Sequence, residues 1–210
     1  LLEQAISSSN DVSGATFLPK EPKVSGCVMD IEKTFKLNDL RHEGSLTAIR
    51  IEGSKNSVDQ RVQNLVKELN IENFNISILG THQSEIFWHK VKNLDFFSSS
   101  KNSIFRIVIP QSECVQLVYQ FTNKFKYFLD WGGALIWVEA FELSEEMFDS
   151  VRKKVIKHGG YVTMIKNSSY LPYVEDVFTI NRDRFNISQN IKKSFDPKRI
   201  LNPGKMYTGI

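Results

Sequence analysis

Two glycines set between apolar runs constrain this chain more than any other feature. Lys126 to Trp131 and Ala134 to Ala140 read as strands joined at Gly132-Gly133. Both glycines tolerate positive φ, so the link is a hairpin signal. A hairpin commits part of any sheet to antiparallel pairing.

The rest of the pattern alternates strand and helix. Thr47, Ile49 and Ile51 recur at period two, as a half-buried strand requires, and Val58, Val62, Leu65 and Leu69 then line one helix face. Phe74, Ile76 and Ile78 predict a second strand, and Phe87, Val91 and Leu94 a second helix. Phe105, Ile107 and Ile109 predict a strand closed by Pro110. Cys114, Val118, Phe121 and Phe125 follow as a helix stripe with Cys114 in its core. Ser144 caps a helix with Glu145 and Glu146 in its first turn, Lys153, Lys154, Lys157 and His158 in its last, and Gly159 beyond it. Acid at the start and base at the end complement the helix dipole. Tyr161 to Ile165 is a strand, and Ile187, Ile191 and Phe195 mark a final helix.

Before this, residues 1–9 read as a short helix and Val12 to Pro19 as a turn-rich link; the stretch to Gly44 carries little pattern. The expected division is an N-terminal helix and irregular link over 1–44, an α+β domain over 45–194, and a C-terminal tail over 195–210. The fold class is α+β, a largely antiparallel sheet covered by helices, with ferredoxin-like units the natural arrangement.

Charge and cysteines exclude more than they assign. The net charge is +3, with basic residues scattered among nearly as many acidic ones, which leaves no focused nucleic-acid footprint. Cys27 and Cys114 sit in no metal or redox spacing and read as buried thiols. His42, His82, His89 and His158 form no HxH or HExxH pattern; His82, His89 and Glu85 read as a solvated helix face, so no metal is expected. No Walker loop, GxGxxG or GxSxG occurs. No stretch reaches membrane-span length and no leader opens the chain, so the expectation is cytoplasmic. Leu1 opens inside an apparent helix, which predicts a preceding segment.

The tail is the second constrained feature. Pro197 stops a helix arriving at Phe195, and Pro203-Gly204 fits the centre of a type II turn. Ile200, Leu201 and Met206 are expected to pin the tail, holding Asn202 and Lys205 in set positions.

Phe195-Asp196-Pro197 followed by Ile200-Leu201-Asn202-Pro203-Gly204-Lys205-Met206-Tyr207 resembles the ending of FAD-linked oxidases of the vanillyl-alcohol oxidase type. Trp131-Gly132-Gly133-Ala134, with Trp137 following after two further residues, is similar to the FAD-binding E subunit of bacterial glycolate oxidase. That subunit usually carries a basic or polar residue where Ile136 stands here.

The resemblance implies a C-terminal cap (substrate) domain without its FAD-binding domain, the phosphate-binding part of FAD lying on another domain or chain. It implies oxidation of glycolate or a similar 2-hydroxyacid to the 2-oxoacid, with FAD taking the hydride. It implies that Asn202, Pro203, Gly204 and Lys205 close on the flavin, with Trp131, Gly132 and Gly133 second. No catalytic residue is assigned. D-lactate dehydrogenase relatives use a His/Glu metal cluster that has no counterpart here, so a partner must bring that electrophile. The implied partners are an FAD-binding domain or chain, a D-type catalytic subunit and an iron–sulfur subunit near the inner membrane. Two alternatives stand beside this: an inert interaction module left by a split gene, and the cap of a D-lactate dehydrogenase-like enzyme.

Overall fold

The computed structural model describes residues 1–19, 44–72, 74–121, 125–169, 171, 174, 176–205 and 207–210. Cys27, His42 and Met206 therefore lie outside the described residues, as does the unpatterned stretch 20–43.

Six antiparallel strands form one sheet. They are β1 (Val12–Leu18), β2 (Leu46–Ile51), β3 (Ser103–Val108), β4 (Lys126–Asp130), β5 (Leu135–Ala140) and β6 (Tyr161–Lys166), in the order β2-β1-β4-β5-β3-β6. The helices are α1 (Leu2–Ser7), α2 (Lys55–Glu68), α3 (Thr81–Lys92), α4 (Gln111–Tyr119), α5 (Glu145–Lys157) and α6 (Arg182–Phe195). β3-α4-β4-β5-α5-β6 is one ferredoxin-like βαββαβ unit. β1 and β2 extend it on the β4 side as an antiparallel pair.

Alternation along the strands splits the sheet into two faces. Phe105, Ile107, Tyr127, Ile136, Val138, Val162 and Met164 point to the face covered by α4 and α5, where they meet Cys114, Leu117, Phe148, Val151 and Val155. Phe105 packs edge-on against Phe148 at 5.5 Å and Phe125 at 6.0 Å between ring centroids. Each such side chain contributes about 1.5–3 kcal/mol through burial. Cys114 lies in this stripe as its spacing predicts, and burial pushes its thiol up to about 11. On the other face α3, with Phe87 and Val91, covers the β1–β4 side together with Phe96, Phe97, Leu18 and Phe128.

Three expectations fail. Val12 to Leu18 is not a turn-rich link but a strand between β2 and β4, so the sheet draws on residues assigned to the irregular N-terminal stretch. Its Ala15 and Thr16 are buried, and Thr16 Oγ1 donates to the Leu129 carbonyl at 2.5 Å. Phe74 to Ile78 forms no strand, and Phe74 and Ile78 are 69% and 75% exposed. Alternation there supplies a pattern but no ladder among the described residues. The helix predicted through Phe125 ends at Tyr119, although Phe121 and Phe125 still enter the core.

The segment after β6 closes that edge of the sheet. Met164 N–H donates to the Val177 carbonyl and Thr179 N–H to the Val162 carbonyl, with Thr163 and Phe178 directly opposite each other.

Candidate functional site

On the face away from α4 and α5, cross-strand register sets side chains in rows. One row reads Phe128 on β4, Trp137 on β5, Arg106 on β3, Thr163 on β6 and Phe178 beyond the edge. Phe128 and Trp137 stack with centroids 6.5 Å apart and planes 24° apart. Arg106 is the one charged residue in a strand otherwise built from Ser103, Ile104, Phe105, Ile107 and Val108. Its Nε is buried without a hydrogen-bond partner, and so is Thr163 Oγ1 on a residue only 3% exposed. A buried polar atom left unmatched costs about 1–3 kcal/mol. Arg152 Nε and Thr179 Oγ1 are the other two such atoms among the described residues, but only Arg106 and Thr163 stand opposite each other in one row.

The adjacent row carries a cation under opposite conditions. Lys126 and Glu139, both almost wholly buried, lie directly opposite each other with Nζ to Oε2 at 3.4 Å. Asn102 Nδ2 donates to Glu139 Oε1 at 2.8 Å, Ser100 Oγ donates to the same oxygen, and Lys126 reaches the Phe96 carbonyl at 3.5 Å. That row is saturated.

The tail reaches the same face. Tyr207, 7% exposed, packs on Phe178 at 5.9 Å and on Phe185 of α6 at 6.0 Å. Thr208 N–H donates to Asp176 Oδ1 at 2.9 Å. Between α6 and Tyr207 the chain is held by Asp196, whose carboxylate accepts from Ile200 N–H at 3.1 Å and Leu201 N–H at 2.9 Å and pairs with Lys192 at 2.7 Å. The Lys192 ammonium first, and then these backbone amides, draw its pKa down to about 2. Asn181 caps the start of α6, accepting from Arg184 N–H at 2.9 Å.

The predicted turn is present: Lys205 N–H donates to the Asn202 carbonyl at 3.2 Å, and Gly204 sits at φ +69° as the third position of a type II turn requires. Two of the three predicted apolar pins are not, and the third, Met206, lies outside the described residues. Ile200 and Leu201 are 72% and 60% exposed, so Asp196 and Tyr207 anchor the tail instead. Asn202, Pro203, Gly204 and Lys205 are all exposed.

The Trp131-Gly132-Gly133 turn lies at the β4–β5 end and has other neighbours. A Cβ at Gly132, where φ is +66°, would stand 2.8 Å from Ile6 Cγ1 and from Gln111 Nε2. The close approach that glycine permits there is made by this chain's own side chains. Trp131 stays 56% exposed, its N–H donating to Asp130 Oδ1 at 2.8 Å. Burial raises the Asp130 pKa, and that hydrogen bond opposes the shift. Ile136 is wholly buried in the α4–α5 core, so an apolar residue there fits this packing. His158 pairs with Glu113 at 2.6 Å, and His82 and His89 lie exposed on α3. Among the described residues no three of His, Cys, Asp and Glu converge on a metal position.

Tail and sheet row thus share a face, and the hairpin turn packs elsewhere. The sequence reading missed Arg106 and Thr163. The available signal was a lone arginine inside an otherwise buried strand.

Residues 138–206 match the family model described as FAD linked oxidases, C-terminal domain. The match opens in β5 and runs through α5, β6 and α6 into the tail, about a third of the chain. The antiparallel α+β fold agrees with that likeness, which points to flavin-dependent oxidoreductases and hence to FAD. No curated protein matches the chain. No helix among the described residues is long and apolar enough to cross a membrane.

Proposed function

We propose that this chain is the substrate-domain part of an FAD-dependent 2-hydroxyacid oxidoreductase, of the kind represented by the FAD-binding subunit of bacterial glycolate oxidase. The observation that carries the reading is the tail. Its residues 195–206 belong to the matched segment, and Tyr207, just beyond the match, seats it on the sheet face that holds the unmatched Arg106 and Thr163.

The residues fit one end of FAD and not the other. A dinucleotide phosphate is held by backbone amides of a glycine-rich loop at a helix N-terminus. This sequence has no such loop, and the unmatched cation sits on the sheet face rather than at a helix end. The phosphate end is therefore held by another domain or chain. FAD supplies the hydride acceptor for the acid's oxidation to the 2-oxoacid. In this reading Asn202 and Lys205 offer exposed polar side chains to the ring, and Pro203 and Gly204 fix the turn that presents them. Trp131 is the remaining exposed member of the hairpin turn; Gly132 and Gly133 serve its packing.

The proposed partners are the FAD-binding polypeptide, a D-type catalytic subunit and an iron–sulfur subunit. The proposed location is the cytoplasm, at the inner membrane through those partners. Anaerobic flavin reduction in the assembled complex tests the substrate. Glycolate should bleach the flavin faster than D-lactate; the reverse order supports the D-lactate dehydrogenase-like alternative, and no reduction by either removes the enzymatic reading.

One observation favours the alternative of an interaction module. α6 has no buried residue, and its Ile187, Ile191 and Phe195 are 59%, 54% and 85% exposed. Its protein-facing side holds one aromatic contact, Phe185 on Tyr207, and is otherwise polar, with Ser188, Gln189 and Lys192 partly buried. A complex that forms normally yet shows no acid-dependent flavin reduction supports that reading.

A further inference from the structure

We propose that Arg106 and Thr163 form a grip for one small carboxylate on the open face of the sheet. The identity of that acid as the substrate rests on the function proposed above; the grip itself does not.

Arg106 carries a permanent cation into a row whose other members are Phe128, Trp137, Thr163 and Phe178, none of them acidic. The nearest carboxylate by register is Glu139, two residues along β5 from Trp137, and it is engaged by Lys126, Ser100 and Asn102. Asp130, on the same face, accepts from Trp131 N–H at the far end of β4. Asp176 is engaged by the tail through Thr208. The guanidinium has no hydrogen bond or ion pair among the described residues, and the hydroxyl directly opposite it on β6 has none either.

Geometry then selects the ligand. A guanidinium presents parallel N–H groups that match the two oxygens of a carboxylate. Bound side-on, through Nε and one Nη, a carboxylate satisfies the buried Nε. Its second lone pairs face Thr163, whose hydroxyl donates to them. Both orphan atoms are shut from water in the free chain, while Arg106 as a whole is only partly buried. The acid therefore enters at the exposed end of the guanidinium as that group turns outward. Trp137 on one side and Phe178 on the other wall the row with aromatic carbon. With a single cation between apolar walls, the site suits a monocarboxylate and has no second charge for a dicarboxylate.

Titration of the isolated full chain with glycolate, followed by tryptophan fluorescence and by the Arg Nε resonances, tests this without any flavin. Saturable binding is expected with glycolate and acetate, and none with ethylene glycol, which lacks the carboxylate. Arg106→Lys, which keeps the charge but loses the fork, should weaken binding by about tenfold or more. Thr163→Val should weaken it about threefold while leaving the unliganded melting temperature equal or higher, because it removes an unmatched hydroxyl. The absence of saturable binding overturns the proposal, including the case where a partner's side chain supplies the carboxylate. Equal affinity in Arg106→Lys overturns it, and sulfate binding as well as glycolate overturns the carboxylate class. The two readings fail separately. Glycolate binding by a chain that never joins a flavoprotein keeps the grip and removes the function. Flavin reduction indifferent to Arg106→Lys keeps the function and removes the grip.

Discussion

Two neighbouring rows of one sheet face each carry a cation, and their treatment differs. Lys126 has Glu139 opposite it, with Ser100 and Asn102 completing the carboxylate's hydrogen bonds. Arg106, one row along and two strands over on β3, has Thr163 and Trp137 opposite it and no hydrogen-bond partner for its Nε among the described residues. The first arrangement holds the 96–102 connection to the sheet and is complete in itself. The second leaves two polar atoms unmatched side by side, whereas the other two unmatched buried atoms among the described residues, Arg152 Nε and Thr179 Oγ1, belong to no such row. Completeness marks structure, and incompleteness beside a docked tail marks a place for a ligand.

Removing one member of each row should give opposite results, and this is the largest expected effect. Glu139→Gln strands a buried ammonium and should cost about 3–5 kcal/mol in chemical denaturation. Arg106→Met should be neutral or stabilising. Equal losses in both variants would show that Arg106 has a structural partner and would erase the contrast.

The tail comes next. Tyr207→Ala removes its aromatic anchor on Phe178 and Phe185, a loss on the order of 2 kcal/mol confined to the tail. Amide exchange should rise in residues 199–210 and stay unchanged in β3 and β5. A global loss would mean that the tail is part of the core.

Acid should release the same tail by a different route. Asp196 is held down at about 2, against a usual carboxyl value near 4. Its contribution is complete above pH ~4, fades as pH falls from ~4 towards ~2, and is gone below that. Asp196→Asn should loosen residues 199–201 at neutral pH and flatten this acid dependence, measured by exchange across the range.

The smallest effects on stability belong to Trp131→Ala and Lys205→Ala, both exposed and expected within about 0.5 kcal/mol of the parent. A drop in flavin reduction by the assembled complex, with stability unchanged, would set these residues at the flavin. A loss of stability would return them to packing.

Much of this architecture is legible in the residues. The Gly132-Gly133 hairpin, the capped α5 and the Pro203-Gly204 turn each follow from local chemistry, because cap, dipole and φ are properties of a few adjacent residues. β1 is not legible in that way. Ser13, Gly14, Ala15 and Thr16 are small and turn-like, and only pairing with β2 and β4 makes them a strand. Phe74 to Ile78 shows the converse, since alternation without a ladder leaves the chain irregular. The tail's turn was readable but its anchors were not: the exposed Ile200 and Leu201 look like pins until Tyr207 is seen against Phe178. Arg106 stayed hidden because a charge in a strand ordinarily faces water. Its significance lies in what is missing opposite it, which no sequence spacing displays.

The central claim is that this chain presents a substrate face to a flavin held elsewhere. The flavin content of the purified chain, before and after incubation with excess FAD and gel filtration, and of the assembly isolated from its native source, tests this most directly. The account predicts a colourless isolated chain in both cases and a yellow assembly that glycolate bleaches in the absence of oxygen. A chain that retains stoichiometric FAD by itself, or a native assembly without flavin, would contradict it.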